Sequence, residues 1–289
     1  MPRISIITPF RNAACFLAGY VDNLRRQSFE DWECLAIDDG SSDGGADLLE
    51  RCLASDRRFR LLRLSEAGAG SATPARLPAR PRNHGLAHVL SPLVAFLDID
   101  DLWHPRKLEH QLVFHVAGRL DLSVTAYGRF SSATRPLLAL RCPLTQLSAA
   151  SLAYANPIPL LTVLVRTELL GGGFPTVPHE DYLLWMNLQR RQPDLRFGTL
   201  PELLAFYRLH HDNQSRQPLQ VARWTYNLYR QYGLSRTEAL TSLGHWGLGH
   251  LRQQLQERHQ RATLPCGKQS VECLLAAEPL RLVTAPVWP

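Results

Sequence analysis

Over the first hundred residues, short apolar runs alternate with stretches of helical period, the pattern of a parallel sheet flanked by helices. Residues 4–8, 32–37, 59–64 and 93–97 predict four strands. Between the first two, residues 16–26 predict a helix with Phe16, Leu17, Tyr20, Val21 and Leu24 on one side. The second strand ends at the turn-rich run Asp38-Asp39-Gly40-Ser41-Ser42-Asp43-Gly44, where Asp43 is suited to cap a helix reaching about Leu53. Residues 83–90 read as the end of another helix. Residues 67–82, rich in Gly, Ala, Pro and Arg and lacking a period, predict a mobile loop.

After Pro105 the pattern is less regular. A helix through His115 is followed by strand-like runs at 122–127, 136–140 and 160–166. A helix over 180–191 follows the Gly171-Gly172-Gly173 break, and 217–232 and 236–260 predict two more, the second opened by Ser235. From Thr263 the chain carries four prolines and no clear pattern. The expected organisation is therefore an α/β domain over 1–215, a helical C-terminal extension over 216–262 and a loosely ordered tail over 263–289.

Composition changes this picture little. The 289 residues are 45% hydrophobic and 20% charged, ordinary for one large globular domain with an appendage. A net charge of +6 favours anionic partners such as nucleotide diphosphates or anionic lipid surfaces. Arg far outnumbers Lys, which suits forked recognition of phosphate and equally follows from coding bias. The six cysteines form no CxxC pair or dense framework, and Cys34 within a strand pattern reads as a reduced core thiol. Met1-Pro2-Arg3 leads straight into a strand without the apolar run of a signal peptide, and no stretch approaches the roughly 18 apolar residues of a membrane span. A cytoplasmic location is expected, with any membrane association peripheral. Dispersed arginines and the lack of a nucleic-acid-binding motif argue against nucleic acid as a partner.

The densest chemistry lies at the end of the fourth strand, where Leu97 runs into Asp98-Ile99-Asp100-Asp101. In open α/β sheets the ligand crevice lies at that edge, and Asp38 and Asp39 end the second strand there too. Carboxylates concentrated in one crevice repel one another unless a cation is shared, so Asp98, Asp100 and Asp101 are candidate ligands for Mn²⁺ or Mg²⁺ beside a diphosphate. The alternative is a solvated acidic turn, as Asp39 is alternatively an Asx turn former.

The strings Ser5-Ile6-Ile7-Thr8-Pro9-Phe10-Arg11-Asn12, Gln27-Ser28-Phe29-Glu30-Asp31-Trp32-Glu33, Asp38-Asp39-Gly40-Ser41-Ser42-Asp43, Arg82-Asn83-x-Gly85-Leu86-Ala87 and Phe96-Leu97-Asp98-Ile99-Asp100-Asp101-Leu102-Trp103 resemble, in order and spacing, the signature series of family-two glycosyltransferases. The resemblance implies the GT-A fold, a Rossmann-like and mostly parallel sheet flanked by helices. It assigns Asp39 to the nucleotide base, Thr8 and Pro9 to the lining of the base pocket, Asp98 to the ribose and Asp100 to the metal, with Asp101 assisting. His179-Glu180-Asp181 is similar to the family's acidic pair, in which Asp181 is the base and Glu180 a supporting group; otherwise both are first-turn acids complementing a helix dipole. Tyr207-Arg208-Leu209-His210 resembles a later element that makes His210 a metal or diphosphate contact, with His211 the competing register. Arg76, Arg80 and Arg82 are candidates to cover the diphosphate, although the stretch from Gly70 to Pro81 is longer than the family's pattern and Arg82 alone lies in a matching string.

These implications describe an inverting transfer of a sugar from a UDP-, GDP- or TDP-sugar to a hydroxyl on a glycan or lipid-linked acceptor. A nucleotidyltransferase is the rival enzyme, and it usually needs a Gly-rich basic loop that Thr8-Pro9-Phe10-Arg11-Asn12 lacks. An inactive nucleotide-sugar-binding module is the other rival. The leucines of 236–261 fit a helix packed on its own domain or an amphipathic surface helix.

Overall fold

The computed structural model describes residues 1–54, 56–64, 77–131, 137–143, 146–154, 156–209, 218–263 and 270–282. The first part of the chain builds β1 (Ile4–Phe10), α1 (Leu17–Arg25), β2 (Trp32–Asp38), α2 (Gly45–Leu53), β3 (Phe59–Arg63), α3 (Ala79–Leu86) and β4 (Leu93–Phe96). The remainder adds β5 (Leu102–Trp103), α4 (Lys107–Ala117), β6 (Leu122–Ser131), β7 (Leu137–Arg141), α5 (Ala149–Tyr154), β8 (Leu164–Arg166), α6 (Glu180–Arg191), β9 (Phe197–Leu209), α7 (Pro218–Tyr232), α8 (Arg236–Thr263) and α9 (Val271–Ala276).

The described strands form one sheet in the order β3-β2-β1-β4-β8-β6-β9-β5, with β7 beside β6. It is parallel from β3 to β4 and again between β6 and β9, while β8, β7 and β5 pair antiparallel. Alternation along β1 sends Ile4, Ile6 and Phe10 to the layer of α1 and α2, and Ile7 to the opposite layer of α3, α6 and α7. Gly85 lets α3 lie close to the sheet: a Cβ there would stand 2.9 Å from Ile37 and 3.0 Å from Ile7.

Several elements differ from the sequence expectation. Arg82 belongs to a helix rather than to the end of a loop, because Pro78 and Pro81 fall before and within the first turn of α3, where backbone N–H groups have no helical partner anyway. Only Leu164–Arg166 of the run 160–166 is strand, since Leu160–Thr162 closes a 3₁₀ turn. The tail is not loose over 270–282. Val271 is fully buried against Phe130 and Phe206, and Leu203 and Leu282 donate backbone hydrogen bonds to Leu280 and Pro201. The cysteines among the described residues are unpaired, and Cys34 is buried beside the Tyr20 hydroxyl. No helix among the described residues is long and apolar enough to cross a membrane.

Candidate active site

Parallel pairing aligns the C-terminal ends of β1, β2 and β4, so their following turns share one edge. At the end of β2 the Asp38 carboxylate accepts the Ser41 N–H at 2.9 Å, fixing the turn. Asn12, with φ 49, braces it from β1 by accepting the Ser42 N–H at 2.8 Å. Asp43 accepts the N–H groups of Gly45 and Ala14, anchoring the start of α2. Asp39 is buried; its N–H donates to Phe10 and its carboxylate meets the Arg80 guanidinium at 3.3 Å. Thr8 points the other way, fully buried, with its hydroxyl accepting the Tyr20 O–H at 2.7 Å. Pro9 is partly exposed on the opposite face of β1.

Beyond β4 the chain turns through Asp98-Ile99-Asp100-Asp101, closed by the Asp101 N–H donating to the Asp98 carbonyl at 3.1 Å. Asp98 keeps 41% of its side chain exposed and Asp100 is half-buried, whereas Asp101 is 2% exposed. The Asp101 carboxylate accepts the backbone N–H of Arg208 at 2.8 Å, tying β9 to this turn. Arg208 returns the contact through its guanidinium, which reaches the Asp100 carbonyl at 2.5 Å and lies 4.7 Å from the Phe130 ring. Burial, and then the nearby Asp100 and Asp98, push the Asp101 carboxyl well above the usual carboxylate range.

The third wall comes from α3 and the start of α6. Arg82, buried against the Phe174 ring, forks between two acids: one nitrogen bonds Asp98 at 2.8 Å and the other Glu180. Burial opposes the charge on Arg82, but Asp98 and Glu180 outweigh it and raise its pKa. Glu180 is raised to about 7 by burial, against the pull of Arg82. Asp181 accepts the Asn156 side-chain N–H at 2.9 Å and its neighbour Tyr182's N–H at 2.8 Å. Asn83 holds this wall to α3 by exchanging two hydrogen bonds with the Phe174 backbone. His179 enters α6 with φ 57, and its buried Nε2 has no hydrogen-bond partner among the described residues.

Arg82 thus joins Asp98 to Glu180, Arg80 of the same helix meets Asp39, Asp100 lies two residues beyond Asp98 in its turn, and Asp181 follows Glu180 at the start of α6. Thr8 and Asp101 are turned into the protein, so the first supports β1 and the second supports the Asp98 turn. His210, His211 and Arg76 lie outside the described residues. Among the described residues no group of three or more His, Cys, Asp or Glu side chains is arranged around one point for a metal. The partly exposed Asp98 and Asp100 are nevertheless hard oxygen donors of the type Mn²⁺ and Mg²⁺ take, in a turn whose acids disfavour one another's charge. Asn156 was not legible as a site residue. It is followed by Pro157 and carries no local signal.

A half-parallel sheet carrying acids at its β2 and β4 ends, closed by an acidic helix start, defines an α/β transferase of the GT-A type. The sequence pattern of "Glycosyl transferase family 2" matches residues 5–143. The putative teichuronic acid biosynthesis glycosyltransferase TuaG of Bacillus subtilis is 30% identical over 232 residues, covering 80% of this chain and 88% of the relative. The chain therefore belongs to glycosyltransferase family 2. It is also 29% identical over 189 residues, 64% of this chain and 69% of the relative, to WfgD of Escherichia coli, a UDP-Glc:alpha-D-GlcNAc-diphosphoundecaprenol beta-1,3-glucosyltransferase. Its fold matches the mannosyltransferase PcManGT from Pyrobaculum calidifontis in complex with GDP-Man and Mn²⁺, with a TM-score of 0.60 at 18% identity over 99% of this chain and 77% of that one.

Proposed function

We propose that this glycosyltransferase moves one sugar, with inversion, from a nucleotide-diphosphate donor to a hydroxyl of a lipid-linked glycan. The observation that carries the proposal is Arg82, whose guanidinium joins Asp98 on the donor side to Glu180 on the acceptor side. One buried cation thereby holds the two halves of the crevice together, with Asp181 next to Glu180 at the start of α6.

In this reading Asp39 and Asp98, with the backbone around Pro9, orient the nucleoside. Asp181 accepts the proton of the acceptor hydroxyl as its oxygen bonds to the anomeric carbon, and the bond to the diphosphate breaks with its electron pair. Inversion follows from that single displacement. Asn156 keeps the carboxylate aimed, and Glu180, paired with Arg82, orients the acceptor. A Mn²⁺ or Mg²⁺ ion held by Asp100 and Asp98, with His210 as a further ligand, would neutralise charge on the departing diphosphate. The Mn²⁺ of PcManGT supports this cation, and the diphosphoundecaprenol-linked acceptor of WfgD supports the acceptor class. Residues 1–215 form the catalytic unit in this reading, acting in the cytoplasm at a membrane face.

The test is a transfer assay with labelled UDP-Glc, UDP-GlcNAc, GDP-Man and TDP-Glc against a lipid-linked GlcNAc diphosphate, with and without Mn²⁺. Transfer with inverted anomeric configuration is expected. A product of retained configuration sinks the single displacement, and pyrophosphate release from a nucleoside triphosphate and a sugar phosphate identifies a nucleotidyltransferase instead.

A further inference from the structure

Helix α8 turns one face inward, with Ala239 fully buried, Ser242 buried and Leu243 packed on the core. On its other side Leu240, Leu248, Leu251 and Leu255 are 54% to 59% exposed. At 100° per residue these four fall within an arc of about 80°, so they form one stripe rather than scattered exceptions. Gly244 and Gly247 share that side and meet no atom within 4 Å of a Cβ built on them. From Leu240 to Leu255 the stripe runs about 22 Å along the helix.

Along this part of the helix the charged side chains have one sign. No Asp or Glu occurs between Glu238 and Glu257, a stretch that carries His245, His250 and Arg252. The helix packs on β7; burial, and then the nearby Arg141 and Arg129, hold the His250 imidazole below its usual pKa, so the lasting cations here are Arg252, Arg141 and Arg129. Leucines rimmed by cationic groups fit an anionic phospholipid surface, where the alkyl groups enter the acyl boundary and the cations meet phosphates. A second copy of this chain fits less well. Stable pairs bury roughly 800 Å² per partner, whereas a strip of about 22 Å by 10 Å offers near 220 Å², and facing copies would oppose like charges.

We propose that the α8 stripe docks the protein on an anionic phospholipid bilayer. The purpose of the docking rests on the lipid-linked acceptor reading above. Helix α5 packs on α8, and Asn156, two residues beyond the end of α5 in the chain, bonds Asp181, which links α8 by packing to the acceptor side of the proposed site.

Co-sedimentation of the full chain with vesicles of phosphatidylcholine, alone or mixed with phosphatidylglycerol, tests this. Binding to the anionic vesicles is expected, with a Leu248→Gln/Leu251→Gln variant partitioning about tenfold or more weakly and Arg252→Gln losing part of the anionic preference. Unchanged circular-dichroism melting of these surface variants shows that the fold is intact. Equal partitioning of wild type and double variant overturns the proposal, as does light scattering in which the double variant converts a dimer to a monomer. Transfer to the lipid-linked acceptor in detergent is read separately. Its failure with vesicle binding intact sinks the acceptor reading, and transfer without stripe-dependent binding sinks the docking.

Discussion

Asp181 has two hydrogen-bond donors on its carboxylate, the Asn156 amide and the Tyr182 N–H, and each leaves lone pairs for a proton. Asp181→Asn is expected to lower kcat on the order of 10²–10⁴-fold while leaving donor binding near wild type, as read by calorimetry. Under the proposed mechanism Asn156→Ala removes only the hydrogen bond that aims Asp181, so a smaller fall in kcat with little change in donor KM is expected. Undiminished turnover of Asp181→Asn would remove that side chain from the chemistry. Asp100→Ala is expected to weaken Mn²⁺-dependent binding of the free nucleoside diphosphate, and unchanged affinity would refute the assignment. Lys107 offers a pH test away from the crevice. Its ammonium is fully buried over the Trp103 ring at 3.9 Å, bonds Gln111 at 2.8 Å, and burial pushes its pKa down to about 7. The unfolded chain holds that proton up to about pH 10.4, so between pH 7 and 10 it binds more protons than the folded one and stability rises with pH. Lys107→Met should flatten that rise in urea melts recorded across this window.

At the scale of elements, the seam between α3 and the loop before α6 holds Arg82 within reach of both Asp98 and Glu180. Gly173 has φ +65, and a Cβ there would stand 2.8 Å from the Asn83 oxygen that holds Phe174. Gly173→Ala is therefore expected to cost about 1–3 kcal/mol in denaturant melts and to lower turnover as the seam loosens. Legibility in the sequence also varied by element. The apolar alternation of β1, β2 and β4 and the acidic start of α6 announce themselves because burial and local spacing agree. β9 went unbounded because Pro201 and Glu202 interrupt its apolar run, and β5, two residues long, has no period at all. α3 was half hidden by prolines whose position in its first turn is harmless. Asn156 and Asn83 act across 25 and 91 residues of sequence, contacts that no local pattern encodes.

For the whole molecule, the acidic edge was legible because its acids end β2 and β4, the two strands that flank β1, while the depth of each side chain was not. Thr8 and Asp101 share their motifs with exposed neighbours, and only tertiary packing turns their side chains inward. A ligand that binds the folded state alone raises its melting temperature, so a thermal-shift series of UDP, GDP and TDP with and without Mn²⁺ should yield one base whose shift needs the ion. No ion-dependent shift for any of the three would count against a metal-assisted diphosphate. The way the C-terminal segment closes on β9 carries a consequence for biogenesis. β9 takes its last edge contacts from Leu280 and Leu282, and at its other end Arg208 is tied to the turn of Asp98. During synthesis the ribosome must release residues 270–282 before that strand is complete, so nascent chains arrested ahead of them should stay protease-sensitive along β9 and inert towards donor.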